Sequence, residues 1–368
     1  MRVLFIGFKY NNFCGGQVCS SRNLRILKRV CGEENVYEFK ISRNIRFKKK
    51  NKLFWYIKGF WNDIRMCSIG GYDNDQRKQL FHLVESNKID TVFIDNSSIG
   101  NIAKEIKKSF PHIKIISFFH NSEYLYYKRE FEVNGNYLFK YRNCITKQNE
   151  KNACKYSDKL IVLNERDLSI INSLYGKKAD FIIPITLKDI YKASNVIAKK
   201  DIVKTGLFIG SYFSLNVEGI SFFIKEVLPH VEMKLIIVGT GMSKLKEDIA
   251  EDSKLEIIDF VEDLFPYYEK ADFMVMPILS GSGMKVKTAE ALMYGKYIIG
   301  TSEAFSGYII NEDIACRCDS AADFINAINN YDLNSQLYNE ASRNLFLKYY
   351  TDESSFLKFE EAIKSIEE

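Results

Sequence analysis

The chain of 368 residues lacks several features that would assign it to a special class of protein. It has no run of about eighteen or more apolar residues, so no segment is expected to span a bilayer as a helix. None of its eight cysteines forms a CxxC pair and only four histidines occur, so no metal centre is expected. The apolar start at residues 3–6 is too short for the core of a signal peptide, which predicts a cytoplasmic protein with reduced cysteines.

The composition is that of an ordinary globular protein. Hydrophobic residues make up 46% of the chain and charged residues 27%. A chain of this length usually folds into two domains, because a single domain holds about 100–200 residues. The net charge of +5 does not by itself indicate a nucleic-acid partner, and none is expected.

Short apolar segments alternate with longer amphipathic segments along the chain. This order predicts parallel strands connected by helices, and therefore an α/β fold. A polar, weakly periodic stretch interrupts the alternation, which predicts two Rossmann-like domains in tandem, whose ligands bind beyond the carboxyl ends of the strands. The predicted parts are an N-terminal domain at residues 1–185, a linker at 186–204, a C-terminal domain at 205–350 and a terminal helix at 351–368.

The segment at residues 280–295 carries the clearest functional pattern. Its sequence, SGSGMKVKTAEALMYG, follows an apolar strand and predicts a glycine-rich loop, a helix from 284 to 294 and a glycine cap. The start of a helix binds anions through its unpaired amides and its dipole, and Gly281 and Gly283 let a phosphate approach the backbone. Lys285 and Lys287 add positive charge over the first turn.

Glu290 lies on the same predicted helix, about 7.5 Å along the axis from Lys285. This is roughly the separation between a diphosphate and its ribose, and a carboxylate can accept hydrogen bonds from both ribose hydroxyls. The alternative interpretation is an ordinary helix with a surface pair of Lys287 and Glu290. Because that order of charges is the less favourable one on a helix, the pattern favours a nucleotide site.

These residues resemble the signature of glycosyltransferase family 4, a retaining GT-B family. The resemblance covers nearly the whole second half and includes FIGS at 208–211, NVEG at 216–219, IVG at 237–239 and FVEDL at 260–264. It implies a GT-B fold, in which two Rossmann-like domains face each other across a cleft and the last helix returns to the first domain. It also implies retaining transfer of a sugar from a nucleotide diphosphate sugar, with no metal or other cofactor.

Two positions depart from the family pattern. The family has two glutamates eight positions apart around the phosphate loop; the second matches Glu290, whereas the first falls on Ser282. Many members also carry arginine and lysine after the first strand of the second domain, and residues 211–218 contain neither, so Lys285 and Lys287 are expected to hold the phosphates. The predicted nucleotide-sugar contacts are Gly15, Gly16, Ser211, Gly239, Ser282, Gly283, Met284, Lys285, Lys287 and Glu290.

The first half resembles the family more weakly. Gly15-Gly16 follows the first strand, where the family loop approaches the donor phosphates or the acceptor; a plain turn explains the pair equally well. His120 follows an apolar strand, and the resemblance implies a place near the transferred sugar, against the alternative of a surface loop. Glu123 is predicted to orient the acceptor hydroxyl. The predicted catalytic residues are His120, Lys287 and Glu290.

A basic and aromatic segment occupies residues 40–66. It contains nine basic residues, a single acid and both tryptophans of the chain. Its apolar residues at 53, 57, 60, 61 and 64 follow helical spacing, which is typical of a helix in a membrane interface. A helix packed in the core with a solvated basic flank is the alternative. The predicted membrane contacts are Lys48, Lys49, Lys50, Trp55 and Trp61.

The sequence therefore predicts a glycosyltransferase that is peripheral on the inner face of the membrane. Its acceptor is expected to be a lipid-linked saccharide, and its product a surface or capsular polysaccharide intermediate. One alternative is a non-catalytic binding subunit of a membrane polysaccharide complex, derived from a transferase, which the replacement at Ser282 favours. Another is a GT-B sugar-nucleotide epimerase, which fits worse because such enzymes need several acidic and histidine groups and no membrane segment.

Overall fold

A computed structural model describes residues 1–10, 15–42, 52–69, 71–135, 137–192, 203–249, 252–332 and 338–366. The chain divides into two compact units, one formed by Met1–Ile185 with Ser355–Glu368 and the other by Thr186–Ser354. Among the described helices, none is both long and apolar enough to cross a membrane.

The first unit is built on a parallel sheet of six strands. The strands are β1 (Val3–Lys9), β2 (Val36–Ser42), β3 (Thr91–Ile94), β4 (Lys114–Phe118), β5 (Lys159–Val162) and β6 (Phe181–Ile182). Their order in the sheet is β2-β1-β3-β4-β5-β6. The helices are α1 (Gly15–Cys31), α2 (Lys52–Met66), α3 (Asn74–Ser86), α4 (Asn101–Ser109), α5 (Glu123–Asn134), α6 (Tyr137–Tyr156) and α7 (Glu165–Tyr175).

The second unit repeats this plan. Its strands are β7 (Lys204–Ile209), β8 (Met233–Val238), β9 (Leu255–Ile258), β10 (Phe273–Met276), β11 (Tyr297–Gly300) and β12 (Ala315–Arg317). They form a second parallel sheet in the order β12-β11-β10-β7-β8-β9. The helices of this unit are α8 (Ser214–Glu226), α9 (Phe265–Lys270), α10 (Val286–Met293), α11 (Ala321–Asn330) and α12 (Glu340–Tyr349). The last helix, α13 (Asp352–Lys364), begins at the end of this unit and belongs from Ser355 onward to the first unit.

The central strands consist of apolar residues that are buried on both faces. In β1 every residue from 3 to 8 is buried, and in β10 all four residues are buried. This is the pattern of parallel strands covered by helices on both sides. The end of the chain adds to the core of the first unit, where Phe359 of α13 stacks on Phe93 and Phe118 with ring centres 6.0 and 6.3 Å apart.

The strand order reverses once in each sheet. In the first sheet the chain passes from β1 to β2 on one side and then returns to β3 on the other side of β1. In the second sheet it passes from β7 to β8 and β9 and returns to β10 beside β7. Ligands of open α/β sheets bind at such reversals, outside the carboxyl ends of the strands. The loops after β1 and β3, and after β7 and β10, are therefore the places to look for sites.

Several elements differ from the sequence-based prediction. Helix α5 was not predicted, because its apolar residues do not form one clear stripe. The sequence predicts an α-helix at 244–250, whereas the structure has a 3₁₀ helix at residues 242–247. Helix α10 begins at Val286, two residues after its predicted start.

The stretch that was predicted to be a linker is partly packed. Thr186 and Leu187 are buried, and the Leu187 amide donates to the Tyr350 carbonyl. Asp189 pairs with Arg343 of α12. These contacts place the start of the second unit at Thr186 rather than at 205, because polar residues that find partners pack as well as apolar ones. Residues 193–202 lie outside the described part of the chain.

Candidate functional site

The ends of β7 and β8 come into close contact at the strand reversal of the second unit. A Cβ atom on Gly239 would lie 1.9 Å from the Gly210 carbonyl oxygen, so the two backbones can approach only because residue 239 is a glycine. Ser211 follows Gly210 and is exposed. Two of the predicted nucleotide contacts, Ser211 and Gly239, therefore lie beside each other at the carboxyl edge.

The glycine-rich loop joins this edge to the start of α10. Gly283 has φ 65°, in the left-handed region that glycine adopts readily. Lys285 is the N-cap of α10 and provides no side-chain cap, and the first turn contains no acidic residue. The Ser282 hydroxyl is buried and has no hydrogen-bond partner among the described residues. The positive end of α10 is thus not neutralised by a cap or an acid of its own.

Lys285 holds the glycine-rich loop. Its ammonium group lies 2.7 Å from Glu303 Oε1 and donates to the carbonyls of Gly283 and Ser282 at 3.0 and 3.2 Å. These three acceptors match the three protons of an ammonium group. Glu303 comes from the loop after β11, and the sequence analysis did not identify it. Met284, in the same loop, is buried, so only its backbone can meet a ligand.

Lys287 lies on the first turn of α10 and is partly exposed. Its Nζ donates to Asn216 Oδ1 at 2.9 Å and lies 4.7 Å from the centre of the Phe208 ring. Burial and the charge of Lys285 lower the pKa of Lys287 to about 7, while Glu290 opposes this shift. A cation at the positive end of a helix is also unfavourable. An anionic ligand at this place would offset the repulsion of Lys287 by Lys285 and by the positive end of the helix.

Asn216 connects the lysine to the strand end. Its side-chain amide donates to the Ser211 carbonyl at 2.9 Å, while its oxygen accepts from Lys287. The sequence analysis used NVEG at 216–219 only as part of the resemblance and assigned no role to this residue. Asn216 and Lys287 are 71 residues apart, so no local sequence pattern predicts their contact.

Glu290 lies one turn beyond Lys287 on α10 and is also partly exposed. Burial raises the pKa of Glu290 to about 7, and the neighbouring Lys287 opposes this shift. Behind it the rings of Tyr268 and Tyr294 stack with centres 4.1 Å apart. Burial raises the pKa of both tyrosines most, and the negative charge of Glu290 raises it further. The glycine-rich loop, the Lys287 ammonium group and the Glu290 carboxylate therefore lie together at the first turns of α10.

The predicted residues of the first unit lie at the carboxyl edge of its own sheet. Gly15 and Gly16 open α1, and residues 11–14 before them lie outside the described part. Glu123 is the first residue of α5 and accepts from Asn96 Nδ2 at 3.3 Å. The structure does not bring these three residues into one described cluster.

His120 is buried rather than exposed on a loop. Its Nε2 lies 3.4 Å from Asp95 Oδ1, and its ring meets Phe118 edge to face with centres 5.5 Å apart. Burial by itself lowers the pKa of His120, but electrostatic interactions with Cys19, Asp95 and Glu123 raise it, to about 9 overall. Sequence reasoning missed Asp95, although its position directly after an apolar strand was a usable signal.

The part of the predicted membrane segment at residues 52–66 forms helix α2. Phe60, Trp61 and Ile64 expose 43, 64 and 46% of their surfaces. This exposure contradicts the alternative of a helix packed in the core for these three side chains. Of Trp55 only the backbone is described, and Lys48, Lys49 and Lys50 lie outside the described residues.

No group of three or more histidine, cysteine or acidic side chains that could hold a metal occurs within the described ranges.

The second unit matches a known family model. Residues 203–331 match the model described as glycosyl transferases group 1. An uncharacterised 44.6 kDa protein from the cps region of Klebsiella pneumoniae is 24% identical over 292 residues, which cover 73% of this chain and 72% of that protein.

Solved structures share the fold along the whole chain. The lipopolysaccharide outer core galactosyltransferase WaaB in its apo form has a TM-score of 0.64 at 15% identity and covers 99% of both chains. Anabaena HepE in complex with UDP has a TM-score of 0.69 at 11% identity, covering 99% of this chain and 100% of HepE. HepE in complex with UDP-glucose has a TM-score of 0.67 at 12% identity and covers 99% of both chains.

Two parallel six-stranded sheets of this kind, together with the matched domain, define the class of protein. The chain is a glycosyltransferase with a GT-B fold, and the predictions of the fold class and of the enzyme class are confirmed. Its glycosyl transferases group 1 domain is the part that carries Lys287 and Glu290.

Proposed function

We propose that the protein transfers a sugar from a nucleotide diphosphate sugar to a lipid-linked saccharide during synthesis of a surface polysaccharide. The observation that carries the proposal is the start of α10, where an uncapped helix end and Lys287 precede the Glu290 carboxylate. The similarity to HepE, which was solved with UDP-glucose, supports the donor class. The similarity to a protein of a cps region supports the product class.

The proposed donor site assigns one part of the nucleotide sugar to each feature. The first-turn amides of α10 and Lys287 hold the diphosphate, and Glu290 accepts hydrogen bonds from the ribose hydroxyls. Ser211, Gly239 and the glycine-rich loop bring backbone groups close to the ligand. Lys285 acts mainly by holding that loop, because Glu303 already balances its charge.

The proposed chemistry is a front-face displacement with retention of configuration. The bond between the sugar C1 and the β-phosphate oxygen breaks, the acceptor oxygen bonds to C1 on the same face, and the acceptor proton passes to the leaving phosphate. Negative charge grows on the β-phosphate, and Lys287 and the fixed amides stabilise it without a metal ion. We assign His120 a contact with the transferred sugar, Glu123 the orientation of the acceptor, and Gly15-Gly16 an approach to either ligand.

A thermal-shift measurement tests this proposal. The full-length protein is heated with UDP-, GDP-, dTDP- and CMP-sugars, each with and without EDTA. One nucleotide diphosphate sugar at about 100 times its Kd is expected to stabilise the protein by about 2.7 kcal/mol, or roughly 5–10 °C. No shift with any donor would contradict the donor site, and a shift that EDTA abolishes would contradict catalysis without a metal.

We also propose that α2 docks the protein on the inner face of the membrane. Its exposed side is apolar and aromatic, with Phe60 packed against Trp61 and Tyr141 at 6.0 and 4.8 Å between ring centres. Basic residues surround it in the sequence, including Lys48, Lys49 and Lys50. Each cation near an anionic leaflet contributes about 1 kcal/mol to binding.

Trp61→Ala is expected to weaken binding to anionic liposomes roughly tenfold or more, because the side chain would lose about 1.5 kcal/mol or more of burial in the interface. Co-sedimentation with phosphatidylserine vesicles measures the effect. Leu357→Ala is the matched control, since Leu357 on α13 is 73% exposed but lies outside α2. Equal losses in both variants, or none in Trp61→Ala, would contradict the docking role of α2.

A further inference from the structure

A second polar cluster lies at the strand reversal of the first unit. Asp95 directly follows β3, His120 follows the neighbouring β4, and Asn23 belongs to α1, which follows β1. Three elements that are far apart in sequence therefore place these side chains at the carboxyl edge where ligands of such sheets bind.

The three side chains are buried and meet at one carboxylate oxygen. Asn23 Nδ2 donates to Asp95 Oδ1 at 2.6 Å, and the same oxygen lies 3.4 Å from His120 Nε2. Asn23, Asp95 and His120 are 0, 1 and 8% exposed. Buried carboxylates are rare unless they are paired. The contacts with Asn23 and His120 therefore indicate that Asp95 acts on these two side chains.

The cluster keeps polar atoms that the described protein does not use. Asp95 Oδ2, Asn23 Oδ1 and both ring nitrogens of His120 are buried and have no hydrogen-bond partner among the described residues, although Nε2 lies 3.4 Å from Asp95 Oδ1. A buried polar atom without a partner destabilises a fold, so a cluster with a purely structural role would normally avoid it. His120 Nδ1 lacks a hydrogen-bond partner among the described residues, which favours a role for this atom in contacting a ligand.

The charged and titratable groups around His120 come from several elements. Helix α1 contributes Cys19, which accepts a hydrogen bond from the guanidinium of Arg22 at 3.5 Å. Helix α5 contributes Glu123, and the end of β3 contributes Asp95. Of these groups, Asp95 is the one in direct contact with an imidazole nitrogen.

We propose that Asp95, held by Asn23, is the positioning residue of His120 and keeps the imidazole doubly protonated, with Nδ1–H directed to the ligand. Asp95 Oδ1 lies 3.4 Å from Nε2, so the carboxylate pairs with the protonated ring at one nitrogen and leaves the other nitrogen to donate. The catalytic part of this inference rests on the proposed role of His120 in sugar transfer.

Titration of the four histidines by NMR tests the pairing without measuring activity. His82, His112 and His230 are exposed and serve as internal references, and His120→Gln assigns the fourth signal. In the wild type the His120 pKa is raised to about 9, so its ring is expected to stay protonated above neutral pH. In Asp95→Asn we expect its midpoint to fall by about 1–3 pH units, because the adjacent negative charge is removed.

Two further variants decide the cause of that shift. Asp158→Asn removes a carboxylate from the amino end of the same sheet, where it accepts from the Ile115 amide, and should leave the His120 midpoint unchanged. Cys19→Ser removes one of the two other groups, Cys19 and Glu123, that raise the pKa of His120. An unchanged midpoint in Asp95→Asn, or a shift in Cys19→Ser of the same size, would overturn the proposal.

The activity measurement separates the two levels of the inference. With a functional donor, Asp95→Asn should lower kcat roughly 10- to 100-fold, with the alkaline limb of the pH profile moved toward neutrality. A kcat loss without movement of that limb would overturn the positioning role. If the wild type transfers no sugar from any donor, the proposed function fails, whereas the NMR result still decides whether Asp95 controls His120.

Discussion

Glu290→Ala is expected to weaken binding of the preferred nucleotide diphosphate by roughly 30- to 1000-fold. The carboxylate would lose two charge-assisted hydrogen bonds to the ribose, which together amount to about 2–4 kcal/mol. Isothermal titration calorimetry with the nucleotide found by thermal shift measures this loss. Glu290→Gln keeps the shape of the side chain and should show a smaller loss.

The control for this prediction is a nucleotide without ribose hydroxyls. The wild type should bind the 2′,3′-dideoxy form much more weakly than the parent nucleotide, whereas Glu290→Ala should bind the two forms equally. A variant that still distinguishes them would show that another group contacts the ribose. This comparison separates loss of the ribose contact from general damage to α10.

Lys287→Met should lower kcat by about 100- to 1000-fold, as expected when one preorganised donor to the developing charge is removed. The loss should appear in kcat more than in KM, because the charge on the β-phosphate is greatest in the transition state. Steady-state kinetics of nucleotide release measure the effect. Lys246→Met is the matched control, because Lys246 is an exposed lysine of the same unit. If the variant has the kinetics of the wild type, Lys287 does not contact the donor phosphates.

The same two residues predict that donor affinity is greatest near pH 7. In the empty site the pKa of Lys287 is lowered to about 7, and a bound diphosphate would raise it, so binding takes up a proton above pH 7 and weakens as the pH rises. The pKa of Glu290 is raised to about 7, and the ribose hydroxyls would lower it, so binding releases a proton below pH 7 and weakens as the pH falls.

Each limb of this profile can be removed separately. Lys287→Met should abolish the alkaline limb, and Glu290→Gln should abolish the acid limb, each of which approaches a tenfold change per pH unit. A wild-type affinity that is constant from pH 6 to 9 would contradict the placement of both groups against the ligand.

Local patterns in the sequence predicted most of the second unit. The apolar runs at 255–258 and 273–276 predict two strands, which are β9 and β10, and α10 carries the predicted Lys287 and Glu290. These predictions succeeded because a buried strand, a glycine-rich turn and a helix start each depend on neighbouring residues. Helix α5 was missed because its burial depends on α6, with which it packs.

The partners of the site residues could not be predicted in the same way. Asn216 reaches Lys287 across 71 residues, and Asn23 reaches Asp95 across 72. The resemblance indicated that Lys285 would bind phosphate, and the structure shows that Glu303 already balances its charge. The alternative of a surface loop for His120 is wrong, because the ring is buried beside Asp95.

The sequence alone determined the alternation of strands and helices, the glycine-rich loop before α10 and the carboxylate one turn along that helix, because these features are local. The tertiary structure decided which charges are neutralised, which are buried and which remain available to a ligand. Those outcomes follow from the strand order of each sheet, which brings loops from distant parts of the chain to one edge.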